Sequence, residues 1–167
     1  MSHYHLAQVN IARLVAPLDS PELAGFVARL ADVNALADRA SGFVWRLQTE
    51  EGDATALRPY EDDRILVNLS VWTGLEPLHQ FVFRSDHAEV MRQRRAWFQR
   101  MVEAYVALWW IPTGRRPSVQ EAKERLEHLR THGETPTAFS FHRPFPPPDT
   151  PPAGPLAPLA DECPATS

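Results

Sequence analysis

The sequence is short of cysteine and of lysine. Among its 167 residues, Cys163 is the only cysteine and Lys123 the only lysine, so 16 of the 17 basic residues are arginines. One thiol cannot build a disulfide framework, and its position in the C-terminal tail argues against a nucleophilic role. The preference for arginine, with much alanine and proline, is typical of a GC-rich bacterial genome and indicates no particular function.

The sequence also lacks a long apolar run and a strong charge imbalance. No apolar stretch reaches the roughly 20 residues that a membrane-spanning helix needs. The N-terminal "MSHYHLAQVNIARL" has no basic segment before a long apolar one, so we predict no signal peptide. A net charge of -4 gives no sign of the excess positive charge that is typical of nucleic-acid-binding proteins. We therefore expect a cytoplasmic protein without a nucleic-acid or membrane partner.

Proline is concentrated near the C-terminal end. Nine of the 16 prolines follow His142, in "RPFPPPDTPPAGPLAPLADECPATS". Such a run disfavours helix and sheet interiors and favours extended or disordered chain. We therefore predict a folded domain over residues 1–143 and a Pro-rich flexible tail over residues 144–167.

Strand and helix patterns alternate within the predicted domain. Their order is β-α-β-β-α-α-β-α-β, which is typical of an α+β sandwich. The strand segments "ILVNLSVW" and "YVALWWI" are apolar at nearly every position, which indicates that both faces of the sheet are buried. We expect the helices to cover one face only, and a second copy of the chain to cover the other. The pattern therefore predicts a homodimer.

Several sequence pieces occur in the order found in a known family. They are SVW, H-(x)9-WF, LWW-x-P-x-G, PS-x-x-EA and AFSF, spread over about residues 3–146. The chain resembles the bacterial DUF3291 family, in the dimeric α+β barrel superfamily. "GETPTAF" departs from the family pattern, which has Gly-Pro before the Thr, and this affects a turn. The resemblance implies a ferredoxin-like antiparallel sheet with helices on one face, and it places the family's histidine on His87.

The segment "RSDHAEVMRQRRAWFQRM", residues 84–101, has the spacing of an amphipathic helix whose inner face carries polar groups. His87, Met91, Arg94 and Phe98 share that face. A buried arginine needs a partner or a cavity, and a neutral histidine near a helix N-terminus can act as a base or ligand. A histidine that only caps or packs is the alternative. We take His87, Arg94 and the strand residue Asn68 as catalytic candidates.

Polar and aromatic side chains on the predicted strands could line a cavity for a flat ligand. Asn68, Ser70 and Trp72 alternate on one face of the third strand, and buried polar groups of this kind need partners. The substrate-binding candidates are His79, Trp45, Trp72, Met91, Trp97, Phe98, Trp109 and Phe141. Aromatic residues on strands more often form plain core, which is the alternative interpretation. No metal-ligand spacing or nucleotide fingerprint is present.

Three functions are consistent with these patterns. The first is a small enzyme that acts on an aromatic or polyketide-like metabolite of the kind used in natural product biosynthesis, by cofactor-free oxygenation, cyclisation or isomerisation. In it His87 transfers a proton while Arg94 or Asn68 holds an oxyanion. The second is a binding protein for the same hydrophobic ligand. The third is a haem protein with His87 as the axial ligand. We expect no cofactor in the first two.

Overall fold

The computed structural model describes residues 3–48, 65–84, 94–99, 105–150 and 155–159. Its elements in chain order are β1 (Tyr4–Arg13), a 3-10 helix (Pro21–Leu23), α1 (Ala24–Arg39), β2 (Phe43–Arg46), β3 (Ile65–Trp72), α2 (Leu75–Arg84), α3 (Arg94–Trp97), β4 (Val106–Pro112) and α4 (Val119–His132). Most of the helix predicted over residues 84–101 lies outside the described residues. No helix within them is long and apolar enough to cross a membrane.

The four strands form one antiparallel sheet in the order β2-β3-β1-β4. The first strand is central and pairs with both β3 and β4, whereas β2 pairs only with β3. This is the strand order of a ferredoxin-like fold, as the family resemblance implies, with α1 and α2 as the connecting helices. The predicted fifth strand, "AFSFH", forms no strand and contributes only isolated bridges, from Phe139 to Leu108 and from Ala138 to Thr135.

The sheet presents two faces of different chemistry. Gln8 is opposite Ser70 and Asn10 is opposite Asn68 across β1 and β3, so these four polar side chains point to the same side. We call this side the cavity face. The alternate positions, exemplified by the pair of Val9 and Leu69, form the packed face, which is apolar and buried.

The packed face is covered by the chain's own C-terminal helix. In α4, Ala122, Leu126 and Leu129 join the strand residues of the packed face in one buried cluster. Ser118 caps this helix by accepting a hydrogen bond from the Glu121 backbone N–H at 3.0 Å. Here the structure differs from the sequence argument, because α4 lies on the face opposite to α1 and α2. A second copy of the chain is therefore not needed to bury the packed face. The burial argument made from the sequence no longer supports the predicted homodimer.

The predicted tail also differs from the structure at its start. Phe145 is only 9% exposed and packs in the cluster that includes Leu6, Trp72 and Leu108. Its carbonyl accepts a hydrogen bond from the Trp110 indole nitrogen at 2.9 Å. Farther along, the Leu159 N–H donates to the Phe141 carbonyl at 2.9 Å. The packed part of the chain therefore extends beyond the predicted boundary at residue 143.

Candidate functional site

A cavity of about 370 Å³ lies between the cavity face of the sheet and the helices α1 and α2. This volume is near the lower end of the range of roughly 300–1,000 Å³ that is usual for small-molecule sites. Its floor is formed by strand residues, its roof by helix residues, and one flank by the segment after α4. The lining residues that carry the argument below are Gln8, Asn10, Arg46, Asn68, Ser70, Trp72, Phe81, Phe83, Glu134, Ser140, Phe141 and His142.

Three side chains on the floor form a hydrogen-bonded chain. The Trp72 indole nitrogen donates to the Ser70 hydroxyl oxygen at 2.9 Å. The Ser70 hydroxyl donates in turn to Oε1 of Gln8 at 2.9 Å. Both Ser70 and Gln8 are buried, at 6% and 7% exposure, so these bonds form away from bulk water.

The hydrogen-bonded chain runs from Trp72 to Gln8. An indole nitrogen can donate but not accept, so the Ser70 oxygen is the acceptor of the first bond. The hydroxyl proton is directed to Gln8, whose amide oxygen accepts it. The amide nitrogen of Gln8 is left as a donor, with no partner among the described residues. The floor therefore presents an oriented N–H donor beside an apolar chamber.

Two further amides extend the floor away from Trp72. Asn10 and Asn68 are direct cross-strand partners, one pair along from Gln8 and Ser70. Their side chains have no hydrogen bond to any other described residue. Asn68 is exposed and Asn10 half-buried, so this end of the floor is wetter than the Gln8 end. The floor is thus more exposed to solvent at its Asn68 end.

A cation lies on the β2 flank of the floor. Arg46 is opposite Ser70 across β2 and β3. Its Nε and Nη2 atoms donate to the two carboxylate oxygens of Asp38 on α1, at 2.8 and 3.3 Å. The two-bond geometry fixes the plane of the guanidinium group. The pair ties α1 to the sheet at the edge of the cavity.

The walls are aromatic. The Trp72 ring lies 5.1 Å from the ring of Phe81 on α2 and meets Phe43 edge-on at 5.5 Å. Phe83 and Phe141 meet at 5.6 Å on the other side of the chamber. Rings at these separations pack favourably and leave flat surfaces for another ring.

The predicted site residues fall into three groups. Asn68, Trp72 and Phe141 line the cavity. His87 and Met91 lie outside the described residues, and of Arg94 only the helical backbone is described, at the start of α3. The remaining candidates, His79, Trp45, Trp97, Phe98 and Trp109, do not line the cavity.

The five candidates that do not line the cavity lie in three other places. Trp45 and Trp109 are opposite Val71 and Ala7 and so lie on the packed face, where Arg116 and Arg125 stand over their rings. Trp97 and Phe98 pack beyond the end of β1 in a third cluster, around Phe26 and Leu14. His79 is buried behind the wall, its ring 4.7 Å from Phe83 and 5.6 Å from Phe141.

Sequence reasoning missed Gln8, Asn10, Glu134 and Ser140 as site residues. Gln8 and Asn10 are uncharged polar residues that alternate with apolar ones in the middle of β1, which is the signal that could have identified them. Glu134 follows the Gly133 that ends α4 and had no such signal. Among the described residues, no cluster of three or more His, Cys, Asp or Glu side chains could hold a metal ion.

Comparison with known proteins identifies a family but no activity. A family model described as a domain of unknown function, DUF3291, matches residues 5–154. No curated protein matches the chain.

Solved structures give only distant matches. SnoaB, a cofactor-independent oxygenase from Streptomyces nogalater, is similar with a TM-score of 0.45 and 21% identity, covering 69% of this chain and 96% of SnoaB. The PA3566 protein of Pseudomonas aeruginosa is similar with a TM-score of 0.45 and 14% identity, covering 70% of this chain and 98% of its own. Neither similarity is strong enough to assign a reaction.

Proposed function

The chain belongs to the DUF3291 family, and from its cavity we propose that it binds and converts a small aromatic or polyketide-like ketone without a cofactor. The observation that carries the proposal is the chain of hydrogen bonds from Trp72 through Ser70 to Gln8. It orients a buried amide and leaves its N–H available to a ligand oxygen.

The Gln8 donor supports both recognition and chemistry. A carbonyl oxygen beside it replaces the water that the amide would otherwise bind, and one such hydrogen bond is worth about 1 kcal/mol net. If the carbonyl becomes an enolate, the charge on oxygen grows and the same bond strengthens. Oriented donors of this type typically contribute about 10²–10³ in rate. Cofactor-free oxygenation, cyclisation and isomerisation all benefit from charge stabilised on a ring oxygen.

The roles of His87, Met91 and Arg94 remain proposals from the sequence alone. We propose His87 as a proton-transfer group, with Arg94 and Asn68 as groups that hold developing negative charge. The His87→Ala variant should lower turnover by roughly a hundredfold or more with the fold intact. A loss of about 1 kcal/mol of stability with unchanged turnover would indicate a capping or packing role instead.

A binding protein without chemistry is the second candidate. It is favoured by the floor, whose groups Gln8, Asn10, Asn68 and Ser70 are all uncharged. A haem protein would depend on His87, and haem bound by the purified chain would shift the Soret band of free haem. We propose that added haem shows no such shift.

Binding of a matched pair of probes tests the proposed function. The two-ring ketone 2-tetralone and its hydrocarbon analogue tetralin differ only in the carbonyl group. Calorimetry should show tighter binding of 2-tetralone, and Gln8→Leu should weaken it about tenfold, equivalent to roughly 1.4 kcal/mol. The affinity for tetralin should stay the same. Gln120→Leu, an exposed substitution on α4, is the matched control. Equal affinity of the wild type for both probes would refute the proposal.

A further inference from the structure

The loop after α4 holds a carboxylate rigidly at one flank of the cavity. Gly133 has a φ of 73°, a left-handed conformation that glycine adopts freely, and it turns the chain back from the helix. Thr135 and Ala138 then exchange two backbone hydrogen bonds of 2.9 and 3.1 Å. The Thr135 hydroxyl lies 3.0 Å from Nε2 of His128 on α4. Residues 133–140 therefore form an anchored turn, and Glu134 lies at its start.

Glu134 is half-buried and lines the cavity. The Ser140 hydroxyl donates to its Oε1 atom at 3.0 Å, and the hydroxyl oxygen accepts from the His142 backbone N–H at 3.2 Å. The second carboxylate oxygen, Oε2, has no hydrogen-bond donor among the described residues. Among the described lining residues, Glu134 is the only carboxylate.

Sheet pairing relates this carboxylate to the Gln8 donor. Gln8 of β1 is opposite Leu108 of β4, and Leu108 bridges Phe139, the residue before Ser140. Two strand spacings separate the backbone at Gln8 from that at Phe139, which is about 10 Å. Both side chains extend from these backbones into the same cavity. A ligand carbonyl and the C–H bond beside it can therefore lie between the Gln8 N–H donor and the Glu134 carboxylate.

We propose that Glu134 is a catalytic proton acceptor of this cavity and that Ser140 is its positioning residue. The inference rests on the proposed function and names its first chemical step. A C–H bond next to the ligand carbonyl breaks, and its proton forms an O–H bond with the Glu134 carboxylate. The electron pair moves into the ring to give an enolate, whose oxygen the Gln8 amide stabilises. Proton return restores the ketone, so the step needs no oxidant or cofactor.

The other ionisable side chains at the cavity suit this role less well. Tyr105 lines the cavity, but a neutral phenol is a far weaker proton acceptor than a carboxylate. Arg46 is a cation engaged by Asp38. His142 is exposed, and the contact that orders it is made by its backbone N–H. Glu134 combines partial burial, a fixed carboxylate and an anchored backbone. These are the properties that general bases share.

Deuterium exchange into 2-tetralone tests the assignment. In D₂O, the wild-type protein should accelerate exchange of the hydrogens next to the carbonyl, measured by NMR. Glu134→Gln should lower the maximal exchange rate by about a hundredfold or more, while the Kd for 2-tetralone changes by less than about twofold. Glu124→Gln, an exposed substitution on α4, is the control and should leave exchange unchanged.

Ser140 requires a separate readout because it acts through Glu134. Ser140→Ala should lower the maximal exchange rate about tenfold with little change in KM, and Ser140→Thr, which restores the hydroxyl, should recover most of the rate. A merely structural role would lower stability and alter both variants alike.

The possible failures are distinguishable. If 2-tetralone binds through Gln8 but exchanges no faster than without protein, the Glu134 assignment is wrong and the binding proposal stands. If His142→Gln abolishes exchange and Glu134→Gln does not, the acceptor is His142. If 2-tetralone binds no better than tetralin, the proposed function itself is wrong.

Discussion

Ser70 and Gln8 are cross-strand partners, and the Ser70 Oγ lies 2.9 Å from the Gln8 Oε1 on the floor of the cavity. This contact orients the Gln8 amide. The orientation determines which end of the amide, the oxygen or the N–H, faces a ligand. Without it, the amide could turn and offer an acceptor instead.

Replacing Ser70 should therefore change both stability and recognition. In Ser70→Ala, the buried Trp72 indole N–H loses its acceptor, which should cost about 1–3 kcal/mol. The Gln8 amide becomes free to turn, and the affinity for 2-tetralone should fall several-fold with tetralin unaffected. Denaturant unfolding and calorimetry measure the two effects. The control Ser118→Ala should cost about 1 kcal/mol through loss of the helix cap and leave ligand affinity intact. Unchanged 2-tetralone affinity in Ser70→Ala would show that the serine does not orient the amide.

Phe145 should stabilise the domain although it lies beyond the predicted boundary. Its side chain is buried against Phe139, with ring centroids 5.8 Å apart. Phe145→Ala should lower the free energy of unfolding by about 3 kcal/mol, as is usual for a buried phenylalanine. Leu156→Ala, at an exposed leucine of the same Pro-rich segment, should change it by less than about 0.5 kcal/mol. If both variants unfold like the wild type, the segment does not contribute to the core.

Gly42 should tolerate no side chain, for two separable reasons. Its φ is 82°, and a Cβ atom there would overlap the Pro77 ring and lie 2.7 Å from the Thr73 hydroxyl oxygen. Gly114 has a similar φ of 89° with open space around it. Gly114→Ala should thus cost only the backbone strain, about 1–2 kcal/mol, and Gly42→Ala distinctly more. Thermal unfolding of both variants compares the costs, and equal losses would mean that the α1–β2 turn relaxes around the new methyl group.

The packed face should be stabilised within one chain. Leu126 of α4 is 1% exposed, and Leu126→Ala should lower stability by about 2–5 kcal/mol. Because the burial is intramolecular, the loss of unfolding free energy should be the same at about 1 µM and about 100 µM protein. A loss that grows with dilution would indicate that a second copy covers this face. Sedimentation tests whether the proposed homodimer forms. If α4 alone covers the packed face, the interface of that homodimer lies on another surface.

The sequence by itself determined most of the elements and their order. The patterns predict the order of strands and helices that is found, up to the last strand, and the Ser118 cap and the Gly133 stop lie where local chemistry places them. These features depend on residues a few positions apart, so a linear pattern contains them. The alternation of Asn68, Ser70 and Trp72 also placed those three side chains correctly on one face.

Only the tertiary structure decided which face each element covers and which polar groups meet. An apolar helix stripe shows that α4 is buried, but not on which side of the sheet. In β2, the register shifts between Phe43 and Trp45, and since neighbouring strand residues point to opposite faces, Trp45 and Arg46 separate. Ser70 and Gln8 are 62 positions apart. Their contact follows from strand register, which depends on the packing of the whole sheet and leaves no local signal in the sequence.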